Sequence, residues 1–464
     1  MLKSAVKVPR RQAISSVIEH ANRRDQLAEL FTPGAGVIEP SRWLGPDLLR
    51  SLAILLVLFG HVTFRMPETT LAYPVIFGIR KMGLVGVDMF YVLSGFLIGG
   101  LLLTEHRARG SINIGRFLLR RAWRILPLYW LAILWGWRWY HLIPVSVEDG
   151  SHVAPVALWQ MWPFFAFVQN YYDVAGHNFG AGAVMQTWTV ASLIHFYVFI
   201  ALLLGALSMA GKSAMRALPW IVAIIFAVCL GFRIHNTPAN IDPNHFEAWR
   251  NYFPTHLRLD EPMFGVLLAY WVVNCRPQLE RFMKNGWPLV FIAAMATFLP
   301  AALRQQEGPA FLCIWGFTLA AVGCGGLVLG VWWLENRRRE RAAAPFAGRQ
   351  ILKTFSYIGI WSYSIYLWHQ PLCQYLGLKV RSVIGDHIVH WSSPFFYLTV
   401  VAVYMAMSIG LGMVMYYALE KPLQNLRRKM TLKPAMQSTA STGVANSPGY
   451  APAPTHTPAM SMTR

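Results

Sequence analysis

The sequence predicts an all-α protein: a polytopic transmembrane helical bundle of about ten spans, with one further re-entrant or interfacial segment. Of the 464 residues, 55% are hydrophobic and only 13% are charged, whereas a soluble domain carries about 25% charged residues. Apolar stretches long enough to cross a bilayer recur along the chain, and basic residues gather in the short segments between them. Together these features indicate an integral membrane protein.

The net charge of +20 is also typical of proteins that bind nucleic acid, so the position of the charges decides their meaning. The basic residues lie between apolar stretches, as they do in the cytosolic loops of membrane proteins. No nucleic-acid partner is therefore expected. The five cysteines have no paired spacing, so neither a disulfide nor a metal site is predicted.

The chain divides into three parts. Residues 1–42 are polar and of mixed charge, which predicts a cytosolic N-terminal tail without a cleavable signal peptide. Residues 43–430 contain the apolar stretches and form the predicted membrane domain. Residues 431–464 are rich in Pro, Ala, Ser and Thr, which predicts a disordered C-terminal tail.

Apolar stretches follow one another through the membrane domain. They lie near residues 44–62, 84–104, 125–140, 157–171, 186–210, 217–234, 262–275, 287–303, 310–334, 355–378 and 394–419. The stretch at 157–171 is short, contains Pro163 and ends in Gln169 and Asn170, so we interpret it as the re-entrant or interfacial segment. The others are the predicted spans.

The basic clusters set the predicted orientation of the spans. The densest clusters lie at residues 107–124, 276–284, 337–353 and 427–429. If all four are cytosolic, both termini are cytosolic and the chain crosses the bilayer ten times.

An Asp, an Arg and a His lie in the first predicted span, where each ionisable group costs about 2.5–3.5 kcal/mol on insertion scales. At about 100° per residue, Arg50 and His61 fall within about 20° of each other, and Asp47 lies within about 40° of the same line. The three side chains therefore form one polar stripe, with His61 about 16 Å along the helix axis from Arg50. A snorkelling Arg and an interfacial His are the alternative interpretation.

Four polar residues from different predicted spans fall at a similar depth. In the predicted topology, the outer half of the membrane contains His61, Asp88, His195 and His369. A single intramembrane His is more often a satisfied interior residue than a catalyst. The shared depth of the four groups nevertheless favours a site.

The membrane domain contains five motifs in order. They are D-L-L-R at 47–50 followed by His61, G-V-D-M-F-Y-V-L-S-G-F-L-I at 86–98, F-L-L-R-R-A-W-R-I-L-P at 117–127, Y-S-I-Y-L-W-H-Q-P at 363–371 and L-E-K-P-L at 419–423. In sequence, order and spacing they resemble the motifs of the acyltransferase family 3 membrane O-acyltransferases. The resemblance covers roughly residues 43–428.

One motif departs from that family. Its members usually carry W-S-L-x-x-E-x-x-F-Y in the middle of the chain, whereas residues 188–197 read W-T-V-A-S-L-I-H-F-Y. Leu193 therefore stands at the Glu position, while Trp188, Phe196 and Tyr197 are kept. Three interpretations stay open: the Glu is dispensable, His195 takes over its role, or the activity is altered. We favour an active enzyme.

The resemblance implies a bacterial inner-membrane enzyme that transfers an acyl group from cytosolic acyl-CoA to a hydroxyl group. Acetyl is the default acyl group, and acyl-CoA is a co-substrate; no tightly bound cofactor is expected. The acceptor is a cell-envelope glycan, an exopolysaccharide or a secondary metabolite. The partners are thus the lipid bilayer and this acceptor, and the oligomeric state is left open.

Roles for individual residues follow from the same resemblance. His61 is the expected general base, because the pKa of imidazole lies near working pH. Arg50 would contact the donor arm or the thioester carbonyl, with Asp47 orienting it. The CoA phosphates would bind Arg116, Arg120, Arg121 and Arg124, although these arginines also serve as a topology signal. The predicted substrate-binding residues are Asp88, Trp188, His195 and His369.

Other classes of membrane protein fit the sequence less well. A transporter would show an inverted repeat or matched broken helices, and none is evident. A glycosyltransferase using a lipid-linked sugar would need acidic residues in an outer loop. The loop near residues 235–260 supplies Asp242, Glu247, Asp260 and Glu261. Binding of a glycan acceptor is a second interpretation of this loop, and we favour a third, solvated surface. A degenerate, non-catalytic protein of the same fold is the third alternative.

Overall fold

The computed structural model describes residues 43–62, 71–142, 157–172, 182–211, 213–237, 250–303, 309–340, 348–384 and 394–432. Every regular element in these ranges is a helix, which confirms the predicted all-α class. The predicted N-terminal tail (1–42) lies outside the described residues, and so does the predicted C-terminal tail (431–464) except for its first two residues, which end the helix Lys421–Leu432. Both tails stay predictions.

The long helices overlap the predicted spans, and several of them begin well before the predicted apolar stretch. In chain order they are α1 (Gly45–Gly60), α2 (Tyr73–Arg109), α3 (Ile114–Leu142), α4 (Trp188–Met209), α5 (Leu218–Asn236), α6 (Asp260–Asn274), α7 (Arg276–Leu303), α8 (Phe317–Glu340), α9 (Arg349–Ile384), α10 (Pro394–Met415) and α11 (Lys421–Leu432). A π-helical turn, Tyr416–Glu420, joins α10 to α11. Another, Leu312–Gly316, precedes α8.

Five helical stretches among the described residues are long and apolar enough to cross a membrane. They are Tyr73–Arg109, Val184–Met209, Ala214–Asn236, Cys313–Arg339 and Tyr397–Arg427. The chain is therefore a multi-pass membrane protein. Helices α1 and α6 contain 16 and 15 residues, fewer than the about 20 that a full crossing requires. The count of ten crossings stays a prediction.

The stretch at 157–171 contains only short helical turns: Leu158–Met161, Trp162–Phe165 and Gln169–Tyr172. These turns are too short to cross a bilayer, which agrees with a re-entrant or interfacial segment. Side chains attach the stretch to the bundle. The Tyr129 hydroxyl donates to the carbonyl of Phe164 over 2.8 Å, and Gln169 Nε2 donates to that hydroxyl over 2.9 Å.

The four basic clusters meet at one end of the bundle, which we call the basic end. Arg107 on α2 contacts the carbonyl of Val273 at the end of α6. Arg276 Nη2 donates to Oδ1 of Asn336 over 3.0 Å and so joins α7 to α8. The Arg427 guanidinium donates to the carbonyl of Arg120 over 3.4 Å. Helices that alternate in direction thus bring their basic termini together, as the positive-inside pattern predicts.

Glycines allow close approach of the helices that carry the candidate site. A Cβ on Gly95 of α2 would collide with the backbone of Pro262, and one on Gly265 of α6 would collide with the carbonyl of Val92. A Cβ on Gly359 of α9 would collide with the carbonyl of Asp47. Small residues at such crossings bring two backbones into van der Waals contact. Helices α1, α2, α6 and α9 are fixed relative to one another in this way.

Candidate active site

Two of the predicted residues, His61 and His369, lie side by side. His61 directly follows the last residue of α1, and His369 lies within α9 and is fully buried. Their ring centroids are 5.0 Å apart and their planes make an angle of 82°. This histidine pair (His61 and His369) lies at the end of α1 opposite to the basic end.

The backbone determines which ring nitrogens can act as bases. Nδ1 of His61 lies 2.8 Å from the carbonyl of Val57, and Nδ1 of His369 lies 2.7 Å from the carbonyl of Tyr366. A carbonyl only accepts, so each Nδ1 carries the proton and each neutral ring keeps its lone pair on Nε2. Nε2 of His369 has no hydrogen-bond partner among the described residues. The pair can therefore accept a proton.

A buried hydrogen-bond network supports the histidine pair. The Tyr366 hydroxyl donates to the carbonyl of Gln186 over 2.8 Å and accepts from the Thr189 hydroxyl, also over 2.8 Å. Gln186 Nε2 donates to the carbonyl of Leu367 over 2.9 Å. The turn that precedes α4 is thus bonded to the part of α9 that carries His369. The Tyr366 and His369 rings are 5.5 Å apart.

The other two members of the predicted stripe, Asp47 and Arg50, form an ion pair. Arg50 Nη1 lies 2.8 Å from Oδ1 of Asp47, and the carboxylate is buried while the guanidinium is partly exposed. Arg50 also acts electrostatically on Glu420, a buried carboxyl in the π-helical turn before α11. Glu420 accepts a 2.6 Å hydrogen bond from the hydroxyl of Ser364. Arg50 therefore faces the π-helical turn that follows α10, where this turn contacts the middle of α9.

The predicted donor-binding arginines lie at the start of α3, at the basic end. Arg120 is exposed, whereas Arg116, Arg121 and Arg124 are partly buried. The Arg121 guanidinium lies 5.6 Å from the ring centroid of Phe117, and it is repelled electrostatically by Arg124, Arg427 and Arg50. The structure therefore brings Arg50 close to this cluster. We call these arginines the arginine cluster (Arg50, Arg116, Arg120, Arg121 and Arg124).

Asp88 and Trp188 lie together, around a residue that the sequence reasoning missed. Arg258 pairs with Asp88 of α2 and makes two hydrogen bonds to Glu261, of 2.7 and 3.0 Å. Its guanidinium lies 5.6 Å from the ring centroid of Trp188 and 4.6 Å from that of Tyr252. Asp88 and Trp188 are therefore buried members of a charged and aromatic cluster, and their role in substrate binding stays a prediction.

A second buried ion pair adjoins this cluster. Arg233, at the end of α5, is fully buried and lies 2.8 Å from Oδ2 of Asp260. Asp260 and Glu261 are both fully buried, so their interpretation as solvated surface is wrong. They are inaccessible because they start α6, which packs tightly against α2. Asp242 and Glu247 lie outside the described residues.

His195 lies in a third group. Its Nδ1 is 2.8 Å from the Thr255 hydroxyl, which also accepts from Asn170 Nδ2 over 2.9 Å. The ring of Tyr171 lies 6.1 Å from that of His195 and stacks on the ring of His256 at 5.7 Å. Partial burial lowers the pKa of His256 in the segment before α6. The predicted outer residues thus form three neighbouring groups.

Leu193, at the departure from the family motif, is partly buried against the core. Thr189, Leu193 and Tyr197 are spaced by four residues and share one face of α4. Thr189 bonds to Tyr366, and Tyr197 acts electrostatically on Arg121. Leu193 therefore lies between the histidine pair and the arginine cluster. His195 is two residues further on, about 200° around the helix, so it lies on a different face from Leu193.

Comparison with known proteins agrees with this architecture. The family model Acyl_transf_3, described as an acyltransferase domain, matches residues 43–417. The chain therefore belongs to acyltransferase family 3. This confirms the family that the five motifs indicated.

Several relatives are named as O-acetyltransferases. The peptidoglycan O-acetyltransferase OatA of Listeria monocytogenes is 26% identical over 333 residues, which are 70% of this chain and 48% of OatA. The provisionally named peptidoglycan O-acetyltransferase YrhL of Bacillus subtilis is 24% identical over 82% of this chain and 54% of YrhL. The chain thus spans about half the length of these relatives. No solved structure matches it.

Proposed function

We propose that this protein is a membrane O-acyltransferase. It moves an acyl group, acetyl by default, from cytosolic acyl-CoA to a hydroxyl group of a cell-envelope glycan on the other side of the membrane. One observation carries the proposal. The histidine pair, which can accept a proton, lies at one end of α1, and the arginine cluster lies toward the other end. Arg50 lies in α1 and His61 directly follows its last residue, so the two are about 16 Å apart along the helix axis.

The two ends have complementary chemistry. Guanidinium groups bind phosphates through charge-assisted, often bidentate hydrogen bonds, and the arginine cluster presents several of them at the basic end. Imidazole is suited to removing a proton from a hydroxyl group near neutral pH. The donor phosphates would therefore lie at the basic end, and the acceptor hydroxyl would lie beside His61.

The transfer step balances with these groups. Nε2 of His61 accepts the proton of the acceptor hydroxyl, whose oxygen attacks the thioester carbonyl. The carbon–sulfur bond then breaks, an ester forms, and the CoA thiolate leaves and takes up a proton. The ring of His369 packs against the ring of His61 and holds it in place. The hydrogen bond from Nδ1 of His369 to the carbonyl of Tyr366 fixes the orientation of the His369 ring. Asp47 holds Arg50 toward the donor.

The acceptor class is proposed from the relatives. OatA is named for O-acetylation of peptidoglycan, which favours a cell-envelope glycan over an exopolysaccharide or a secondary metabolite. Asp260 and Glu261, which had favoured a glycosyltransferase with an acidic outer loop, are buried in ion pairs. In the proposed orientation the protein resides in the bacterial inner membrane, with both termini in the cytosol.

A labelling assay tests the proposal. Protein reconstituted in nanodiscs is incubated with acetyl-CoA carrying a labelled acetyl group and with soluble peptidoglycan fragments. We expect free CoA thiol to appear together with a labelled ester that mild alkali removes. Labelled sugar transfer from a lipid-linked donor, without CoA turnover, would support the glycosyltransferase instead. Absence of both reactions, in protein that is folded and inserted, would favour a non-catalytic role.

A further inference from the structure

Arg258, Arg233 and their partners form a buried cluster with an unequal number of opposite charges. It contains two guanidinium groups, from Arg233 and Arg258, and three carboxyl groups, from Asp88, Asp260 and Glu261. All five residues are at most 4% exposed. With every group ionised, the cluster would therefore carry one uncompensated negative charge.

The excess charge belongs to the Arg258 half of the cluster. Arg233 and Asp260 balance each other, and the Arg233 guanidinium also donates a 2.7 Å hydrogen bond to the hydroxyl of Thr318. Arg258, by contrast, is shared by two carboxyl groups, those of Asp88 and Glu261. An uncompensated charge away from water is energetically costly, and a buried carboxyl group avoids this cost by holding its proton.

The position of the two carboxyl groups leads to the same conclusion. One nitrogen of Arg258, Nη2, donates both to Oδ1 of Asp88 and to Oε2 of Glu261, so the two carboxyl groups lie side by side. Two ionised carboxylates in this position repel each other, and one proton held between them removes the repulsion.

We propose that Asp88 and Glu261 bind a single proton between them and so form a buried proton-binding site. The site joins α2 to the start of α6, and Arg258 neutralises the one charge that remains. Other groups that act on the pair are Asp260, the hydroxyls of Tyr91 and Tyr252, and the thiol of Cys324. The thiol and the two phenols are neutral near pH 7 and supply no further charge.

The position of the site links it to the histidine pair. Arg258 lies against the ring of Trp188, the first residue of α4. The next residue, Thr189, donates to the Tyr366 hydroxyl, and the carbonyl of Tyr366 accepts from His369. Loss of the shared proton would place a second negative charge beside Arg258 and disturb this chain of contacts. Asp88 and Glu261 are therefore positioning residues for the pair.

Infrared difference spectroscopy of the reconstituted full-length protein tests the site without requiring activity. The wild type should show the carbonyl stretch of a buried protonated carboxyl group, which disappears in Asp88→Asn and in Glu261→Gln. In Glu280→Gln, a matched control at the basic end, the band should persist. A wild-type spectrum that neither Asp88→Asn nor Glu261→Gln changes would overturn the proposal.

Stability supplies a second, independent readout. Each single amide variant mimics a neutral acid, so its melting temperature should stay near that of the wild type. The double variant leaves Arg258 without a counter-charge and should melt at a clearly lower temperature. A single variant that fails to fold, or that is as unstable as the double variant, would show that both carboxyl groups are ionised and would refute the shared proton.

The consequence for turnover rests on the proposed function. The protonated pair is the competent state, so the acyl-transfer rate should fall as rising pH removes the proton. In Asp88→Asn this fall in rate at high pH (the alkaline limb of the pH–rate profile) should be absent or moved to higher pH. The fall in rate at low pH, where His61 becomes protonated, should stay unchanged. An unchanged alkaline limb would contradict the positioning role. An inactive wild type would count against the acyltransferase proposal and leave the infrared result intact.

Discussion

At the scale of single residues, the backbone decides what each histidine can do. His61 and His369 both bond through Nδ1 to a carbonyl of their own helix, so both keep Nε2 as the basic nitrogen. His195 differs from both, because its Nδ1 lies beside the Thr255 hydroxyl and not beside a carbonyl of its own helix. The histidine pair is therefore the better candidate for proton transfer.

The first prediction concerns His61. His61→Ala should lower the acyl-transfer rate by about 10²–10⁴-fold, the usual contribution of a positioned base, while expression and insertion stay normal. The rate is measured as CoA thiol release in matched nanodiscs. His106→Ala is the control, since His106 bonds to Ser208 at the basic end, away from the pair. Near wild-type turnover by His61→Ala would move the role of base to His369 or His195.

The second prediction concerns the arginine cluster. Arg120 is exposed, and the Arg121 guanidinium lies on the ring of Phe117, so both can lose their charge without leaving a buried partner unpaired. The Arg120→Ala/Arg121→Ala variant should raise the apparent KM for the acyl donor several-fold, because phosphate contacts are lost. Initial rates over a range of acetyl-CoA concentrations measure this effect.

Arg281→Ala supplies the matched control for the arginine cluster. Arg281 is an exposed arginine of α7, close to the basic end but on a different helix. It removes a similar charge without touching the start of α3. If both variants change the donor KM equally, the effect is one of general surface charge, and the arginines of α3 serve only as a topology signal.

At the scale of helices, the sequence predicts most of the architecture. Hydropathy and basic clusters locate the long helices, and the short turns near Trp162 correspond to the stretch that was excluded as a span. These features are local, because a bilayer requires long apolar segments and basic loops wherever the chain crosses it. The pairing of His61 with His369 agrees with their predicted depth.

The Arg258 cluster shows what local patterns could not predict. Its members come from α2, α4, α6 and the segment before α6, and the hydropathy of that segment is typical of a solvated loop. One signal was present: Arg258 and Glu261 are three residues apart, as an ion pair within a helical turn would be. Their burial depends on packing against Asp88, Trp188 and Tyr252, which sequence spacing does not determine.

The third prediction tests the contact between α2 and α6. Gly265→Ala should destabilise the protein by about 1–3 kcal/mol, the usual cost of overpacking, because the added methyl group meets the carbonyl of Val92. Gly231→Ala in α5 is the control: no neighbouring atom lies within 4 Å of its added Cβ. It should stabilise by about 0.5–1 kcal/mol through helix propensity. Melting temperatures in detergent compare the two, and equal shifts would contradict the close packing.

At the scale of the whole molecule, the basic residues of distant segments meet at one end. Glu335 of α8 accepts hydrogen bonds from the backbone NH groups of Leu44 and Gly45, each over 2.8 Å. The guanidinium of Arg339 lies 4.3 Å from the ring centroid of Trp43. The start of α1 and the end of α8 are therefore at the same end, which also contains the arginine cluster. The histidine pair lies at the other end, so the proposed places for the donor phosphates and for the acceptor hydroxyl are at opposite ends of the bundle.

The fourth prediction tests this orientation in cells. A reporter fused after Arg341, which follows the basic end of α8, should lie in the cytosol. One fused near Asn240, after α5 has run away from the basic end, should lie on the outer side. Alkaline phosphatase is active only outside and green fluorescent protein fluoresces only inside, so each fusion site is read by both reporters.

The reverse pattern at both sites would invert the bundle and place the arginine cluster away from cytosolic acyl-CoA. The same compartment at both sites would mean an even number of crossings between residues 240 and 341, whereas α6, α7 and α8 provide three in the proposed topology.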